Sequence, residues 1–211
     1  MIRICTLQTN DLPSAKELLG RLSFDVGEVK RASLLRAREE SATSSLAGLW
    51  LLERMARDAG IDLAGRSLAQ ESGGRPYFPD APMDFSISHT RGIVACALSL
   101  SESDLPPPRI GLDIERLGER TASSMDRIAT RFFSSAEYDR FLTSRDEISF
   151  LQIWTGKEAL CKQDGIGLSG ISRFDTLSPE FRPRLTVYHT PSAILTLAAS
   201  EACECVFEGE R

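Results

Sequence analysis

The chain has no apolar run long enough to span a membrane, and its opening residues, Met1-Ile2-Arg3-Ile4-Cys5-Thr6, contain no apolar core of the secretory-leader kind. A cytoplasmic location is the expectation. A paired cysteine framework is missing too. Cys5, Cys96, Cys161, Cys203 and Cys205 are odd in number and scattered through apolar sequence, which argues against structural disulfides. Cys203-Glu204-Cys205 has no second cluster to complete a tetrahedral zinc site, although it falls in an expected terminal strand. All five read as reduced and mostly structural, with Cys161 nearest the candidate chemistry. There is no basic excess: a formal net charge of −5 argues against nucleic acid as the main partner. What is there is ordinary globular composition, 42% hydrophobic and 26% charged over 211 residues, enough for one large domain or two small ones.

Chemistry concentrates in three stretches, Phe85-Ser86-Ile87-Ser88-His89-Thr90, Ile110-Gly111-Leu112-Asp113-Ile114-Glu115 and Trp154-Thr155-Gly156-Lys157-Glu158-Ala159-Leu160-Cys161-Lys162. They supply three carboxylates, two lysines, a histidine and a tryptophan, a set suited to holding a divalent metal against a phosphate ester. The run Ile110 to Ile114 reads as a buried strand, and strand alternation puts Asp113 and Glu115 on one face. Two such carboxylates repel, and either a metal, a cationic neighbour or simple solvation at a strand end relieves them. Residues 148–163 contain no proline, carry Ile148, Leu151 and Leu160, and stop at Gly165, which predicts a helix. At 3.6 residues per turn Trp154, Glu158 and Lys162 form one row, flanked by Lys157 and Cys161. As a plain surface pair, Glu158 and Lys162 would contribute about 0.3–0.5 kcal/mol. Ser88 and His89 are adjacent on a strand and face opposite ways, so a direct nucleophile–base dyad is not expected. A lone strand histidine is more often structural than catalytic; the weight falls on all three segments occurring in one order.

Along the chain, Ile2 to Leu7 reads as a strand, Asp11 as the cap of a helix through Leu22, and Glu28 to Arg38 as a second, charged helix. A longer amphipathic helix spans about Ser41 to Arg57, with Leu46, Leu49, Trp50 and Leu52 inward. Gly73-Gly74 marks a turn before extended Pro76 to Phe78. Strands follow at Asp84 to His89, Gly92 to Leu100 and Arg109 to Glu115, the last entered through the stiff Pro106-Pro107-Pro108 connector. Helices near Ser123 to Arg131, Ser135 to Leu142 and Asp146 to Gln163 precede strands near Arg184 to His189, Ala193 to Ser200 and Ala202 to Glu208. Ile87-Ser88-His89-Thr90 recurs as Val187-Tyr188-His189-Thr190, a hint of duplication. The fold class expected is α+β: two similar α/β halves, 1–117 and 118–211, each a small, mainly antiparallel sheet packed by helices. The site would lie in the cleft between them.

The order Ser-His-Thr, then Gly-Leu-Asp-Ile-Glu, then Trp-x-x-Lys-Glu-Ala-x-x-Lys followed by Gly165-Ile166-Gly167-Leu168, resembles the 4′-phosphopantetheinyl transferases. It is similar to the larger, surfactin-synthetase-activating type, not to the short trimeric holo-acyl-carrier-protein synthases. Gly74-Arg75-Pro76 is similar to that family's Gly-Lys-Pro turn, and Arg131-Phe132-Phe133-Ser134 with Glu137 to its Phe-Ser-x-x-Glu helix. The motifs run from about Ser45 to Leu168. The resemblance implies a pseudo-dimeric chain for which a monomer suffices. It also implies transfer of the phosphopantetheine arm of coenzyme A to a serine of an apo acyl or peptidyl carrier protein, with release of adenosine 3′,5′-bisphosphate.

On that resemblance Asp113, Glu115 and Glu158 are the expected ligands of Mg2+, and Lys157 and Lys162 the cations against the phosphates. His89 is expected on the 3′-phosphate of coenzyme A, Ser45, Ser88 and Arg38 near it, and the Gly74-Arg75-Pro76 turn at the adenine end. Glu158 is the first choice of proton acceptor, directly or through a metal-bound water, with Glu115 the alternative; Lys162 and His89 complete the catalytic set. Glu137 stands equally as a metal or water ligand and as a solvated helix residue.

Ser44 and Ser45 stand where many relatives carry a basic residue followed by Ser or Thr, so a charge is missing that Arg38 or Arg31 would have to replace. Thr90 replaces a more usual Ser and Arg75 a Lys, keeping the hydroxyl and the charge but not the lysine's geometry. Arg116, Arg120, Arg127 and Arg131 form a basic track in an acidic chain, either a solvated face or a guide for an acidic carrier. Two other classes compete: another Mg-dependent phosphate enzyme, and a non-catalytic coenzyme A-binding module. The intact Lys157, Glu158 and Lys162 argue against the second.

Overall fold

The structure is a computed structural model that describes residues 1–10, 12–101, 105–201 and 204–210. In its first part, strand β1 (Ile2–Gln8) is followed by helices α1 (Ala15–Arg21), α2 (Glu28–Arg36) and α3 (Glu39–Asp58). A two-stranded ribbon, β2 (Ala69–Gln70) with β3 (Pro76–Tyr77), leads into the hairpin β4 (Met83–Thr90) and β5 (Ile93–Leu100). Then come β6 (Ile110–Arg116), α4 (Ala122–Phe132), α5 (Ser135–Ser144), α6 (Glu147–Asp164), the hairpin β7 (Leu185–His189) and β8 (Ala193–Ala199), and β9 (Cys205–Glu210). No helix among the described residues is long and apolar enough to cross a membrane.

Local chemistry sets the helix ends. Ser14 and Glu17 close a capping box at the start of α1; Asp11, expected as that cap, lies outside the described residues. Asp146 caps α6 by accepting from Ser149 N at 2.7 Å, and α6 stops where Gly165 turns left-handed (φ 73°), as its sequence predicts. On α3, Leu46, Leu49 and Leu52 are buried, while Trp50 is half-buried beneath the Arg54 guanidinium. A Cβ on Gly48 would come within 2.4 Å of Ile87 Cγ2, so α3 lies flush on β4.

The strands form a four-stranded sheet, order β4-β5-β1-β9, and a three-stranded sheet, order β6-β8-β7. All pairings in them are antiparallel except β1 with β9, so a strand late in sequence closes the first sheet's edge. Alternation along β5 sends Val94, Cys96 and Leu98 toward α1–α3, and Ile93, Ala95 and Ala97 toward the other sheet. In β8, Ile194 and Ala198 pack under α6, while Leu195 and Leu197 face the first sheet. The molecule is therefore an α+β stack: helices, sheet, sheet, helices.

The two sheets are also joined edge to edge. Among the described residues strand β6 pairs with β8 alone, so the N–H groups of alternate residues point away from that partner and need acceptors. Side chains of β4 supply them. Asp84 Oδ2 accepts from Ile110 N at 2.8 Å, Ser86 Oγ from Leu112 N at 2.8 Å, Ser88 Oγ from Ile114 N at 3.4 Å and Thr90 Oγ1 from Arg116 N at 3.4 Å. The offset is 26 residues at every rung. The alternating Asp-x-Ser-x-Ser-x-Thr of β4 thus acts as a second ladder that covers an otherwise open strand edge.

Ser86 is buried and holds the second rung. Ser86→Ala is expected to destabilise the fold by about 1–3 kcal/mol, the cost of leaving the Leu112 N–H without an acceptor. Urea denaturation monitored by tryptophan fluorescence checks this; an unchanged midpoint would remove the ladder from the account.

Candidate active site

The site begins where β6 meets α6. A Cβ on Gly111 would lie 2.0 Å from the Ala159 carbonyl oxygen, so only glycine lets the helix backbone rest on the strand. That approach brings Glu158 to Asp113 and Glu115, with one carboxylate oxygen from each of the three within 4.8 Å of the others. Asp113 is buried; its Oδ1 accepts from Ser88 Oγ at 2.8 Å and from Lys162 Nζ at 2.7 Å. Its Oδ2 is buried with no partner. Glu115 accepts from Arg120 Nη2 at 2.6 Å.

Burial and mutual repulsion raise the carboxyl pKa values. Glu158 is pushed up to about 8, first by desolvation and then by Asp113, against the pull of Lys162. Glu115 moves up for the same two reasons, opposed by Arg120. Three hard oxygen donors, one of them a buried orphan, are the arrangement that a divalent cation relieves, so these residues fit such an ion.

Beside the cluster a cleft of about 420 Å³ opens between the two helix layers. Glu158, Cys161 and Lys162 of α6 form one wall, His89 and Ser86 of β4 another, and the Gly73–Pro76 turn a third. As strand alternation required, His89 faces the cleft while Ser88 points inward to Asp113. The imidazole pKa lies below its ordinary value, mainly because the wall displaces water from one side and because Lys162 and Lys30 are near. Lys162 donates to Asp113 and, at 2.7 Å, to Ser88 Oγ, which leaves one of its three N–H bonds for a ligand. The Cys161 thiol is raised to about 12, chiefly by burial, which keeps it protonated and inert as a nucleophile.

Of the residues expected at the ligand, Ser45, Gly74, Arg75, Pro76, His89, Glu158 and Lys162 line the cleft, and Ser88 stands just behind it. Two do not come to it. Arg38 is exposed at the N-terminal end of α3. Lys157 is wholly buried on the opposite side of Glu158's row: its ammonium donates to Glu137 Oε2 at 2.7 Å and to the Phe174 carbonyl. Glu137 in turn accepts from Thr176 N at 2.7 Å, Thr176 Oγ1 at 2.8 Å and Ser134 N at 2.8 Å. Glu137 is thus buried rather than solvated, and its carboxylate is not one of the three that meet in the acidic cluster. A Lys-Glu dipeptide on a helix splits by 100°, and here one member faces the core and the other the cleft.

A residue passed over in sequence, Lys30 of α2, lines the cleft, and desolvation there lowers its pKa. Lys30 brings a cation to the cleft wall, whereas Ser44 is buried. Arg31 instead reaches Asp25 at 3.4 Å. The signal was periodicity: Lys30 lies four residues before Leu34, the buried residue of α2, and so shares its face.

Residues 109–206 match the 4′-phosphopantetheinyl transferase superfamily. A 4′-phosphopantetheinyl transferase of Bacillus subtilis is 37% identical over 155 residues, covering 71% of this chain and 64% of that protein. The 4′-phosphopantetheinyl transferase Sfp of Bacillus subtilis strain 168 is 32% identical over 165 residues, 75% of this chain and 69% of Sfp. The 4′-phosphopantetheinyl transferase ffp of Bacillus subtilis is 30% identical over 198 residues, 88% of this chain and 83% of ffp. With the acidic cluster and cleft in place, the chain belongs to the 4′-phosphopantetheinyl transferase family of enzymes. It spans just under two thirds of the first of these relatives.

Two expectations follow from the geometry. Lys157→Met leaves the Glu137 carboxylate buried without its cation, and should cost about 3–5 kcal/mol in chemical denaturation; a lysine that merely lined a wet cleft would cost far less. Glu158 carries a folded pKa of about 8 against an ordinary 4.5, so between those values the folded protein holds a proton that the unfolded chain has lost. Its contribution to stability is complete below the lower value and lost as pH rises through the upper one. In chelator, the Tm should therefore fall across that window, and both Mg2+ and Glu158→Gln should flatten the fall. An identical slope in Glu158→Gln would assign the effect elsewhere.

Proposed function

We propose that this protein transfers the 4′-phosphopantetheine arm of coenzyme A to a serine of an apo acyl or peptidyl carrier protein, releasing adenosine 3′,5′-bisphosphate. The observation that carries the reading is the meeting of Asp113, Glu115 and Glu158 at the end of a cleft that also presents Lys162, His89 and Lys30. An acidic cluster alone fits many phosphate enzymes. Set beside a cationic cleft in a chain of this family, it fits a diphosphate whose two ends need different neighbours.

The three carboxylates would hold Mg2+, which when bound supplies positive charge against the diphosphate oxygens. Lys162, already fixed by Asp113 and Ser88, aims its remaining N–H at the phosphates and meets charge gathering on the leaving group. His89 and Lys30, at the cleft wall with Ser45, receive the 3′-phosphate; an anion there favours the protonated imidazole that its present surroundings disfavour. The Gly74-Arg75-Pro76 turn borders the adenine end with its backbone.

The carrier serine Oγ bonds to the phosphorus that bears pantetheine, and the bond from that phosphorus to the bridging oxygen breaks. The electron pair leaves on adenosine bisphosphate, and the serine proton passes to Glu158. Glu158 suits the last task because it stands where cleft and acidic cluster meet. Arg127 and Arg131, exposed on α4, would steer an acidic carrier toward this end of the cleft.

We further propose that the chain is an internal pseudo-dimer. The series β1, α3, β4, β5 with sheet order β4-β5-β1 corresponds to β6, α6, β7, β8 with order β7-β8-β6. On that reading the second unit starts at β6, ahead of the polar stretch after Arg116, and β9 is an addition to the first. Two units in one chain leave a monomer sufficient for the reaction, in keeping with a soluble, cytoplasmic role.

Intact-mass spectrometry of an apo carrier protein incubated with this protein, coenzyme A and Mg2+ tests the function. One added phosphopantetheine arm is expected, absent in chelator. Asp113→Ala and Glu158→Ala should each slow the addition by at least about 10²-fold while far-ultraviolet circular dichroism stays that of the parent. Phosphate release from coenzyme A with no carrier present would favour a hydrolase instead.

A further inference from the structure

Arg75 lines the cleft, yet its charged group is turned to the protein interior. It is 8% exposed, and its guanidinium reaches three separate elements. Nε donates to the Lys162 carbonyl on α6 at 3.1 Å. Nη2 donates to Asp84 Oδ2 at 2.6 Å and the Phe85 carbonyl at 3.4 Å on β4, and to the Ile110 carbonyl on β6 at 3.0 Å. Asp84 Oδ2 is the same atom that accepts from Ile110 N in the first rung between the sheets. The three elements touched are those that carry the site: β4 with His89 and Ser88, β6 with Asp113 and Glu115, α6 with Glu158 and Lys162.

The turn around Arg75 is fastened to α6 a second time. Arg109 donates through Nε to the Gln163 carbonyl and grips Glu71 with both Nη1 and Nη2, at 2.7 and 2.6 Å. A Cβ on Gly73 would come within 1.5 Å of the Gly165 carbonyl oxygen, so the turn and the end of α6 are in backbone contact. Two arginines thus take up carbonyls that the C-terminal turn of α6 leaves without helical partners, and both favour the negative end of its dipole.

Resting on the transferase reading, the geometry points to Arg75 as a positioning residue for the transfer step: its guanidinium ties β4, β6 and α6 into one frame and so sets Glu158 and Lys162 against Asp113 and His89. It touches no ligand itself. A planar fork with donors on several sides spans these acceptors; a lysine ammonium, a single point at the end of a flexible stem, does not. Charge alone is therefore insufficient here.

The test is Arg75→Lys, with carrier modification followed by mass spectrometry and coenzyme A binding by calorimetry. A loss of about 10²-fold in kcat is expected, the effect of roughly 1 Å of misplacement. The Kd for coenzyme A should change by less than about tenfold, or 1.4 kcal/mol. Wild-type kcat in the variant overturns the proposal. So does a weakened Kd at unchanged kcat, which would make Arg75 a ligand contact, or a lowered Tm with both constants intact, which would make it structural only. Should Arg75→Lys fail to fold, Asp84→Asn removes one anchor and must shift kcat the same way. Hydrogen exchange at residues 162–166 is read without substrate. If the wild type modifies no carrier, the transferase reading falls, while parent-like protection in Arg75→Lys would separately sink the frame.

Discussion

The side-chain ladder between β4 and β6 is the constraint on which the rest depends. Two sheets that face each other across aliphatic side chains can slide, because dispersion contacts have little directional preference. Four rungs at one constant offset remove that freedom, fixing β6 along β4 to within a residue. Everything polar in the site is referred to that register. Ser88 lies on the ladder and touches Asp113; Asp113 touches Lys162; Lys162 belongs to a helix whose backbone rests on Gly111.

Within this frame, charge is separated. One end of the cleft has carboxylates buried and crowded enough to raise Glu158 to about 8, and the neighbouring walls carry Lys30, made less basic by burial, and His89, made less basic by burial and by the nearby lysines. Both ends are poised away from their preferred charge states, and each is relieved by a ligand of opposite sign. A substrate with a diphosphate and a separate phosphate, arriving with a hard cation, answers both demands together. Such pre-set opposition is costly to the empty protein and is the usual mark of a functional site rather than a stabilising one.

Much of this was legible in the sequence. The strand placing Asp113 and Glu115 on one face, the helix ending at Gly165 and the opposed directions of Ser88 and His89 follow from periods of two and 3.6. So did most elements, to within a few residues. Three things were not legible, for physical reasons. Lys157 lies beside Glu158 in sequence, yet its direction depends on where Glu137 and the Phe174 carbonyl sit in three dimensions. Arg75 reads as a cation near a ligand because residue type declares charge but not orientation. The ladder itself is invisible to periodicity, since Ser and Thr in a strand look solvated until a second strand edge is known to need acceptors. Lys30 could have been found, by extending the face of Leu34 back one turn.

The pairing of β9 with β1 has a consequence for the order in which the molecule is made. Ile2 N donates to the Glu204 carbonyl, and the parallel strand it introduces lies some two hundred residues downstream. At about 5–20 residues per second, β1 must wait roughly 10–40 s on the ribosome for that neighbour. In the interval the first sheet has an uncovered edge at β1, the strand carrying Ile2 and Ile4 into the core between the sheets. The site-bearing segments of β4, β6 and α6 are all synthesised before then. The interior that fixes their distances is thus closed along this edge only after them, by a contact spanning about two hundred residues, which makes completion of this sheet a slower event than formation of any one element.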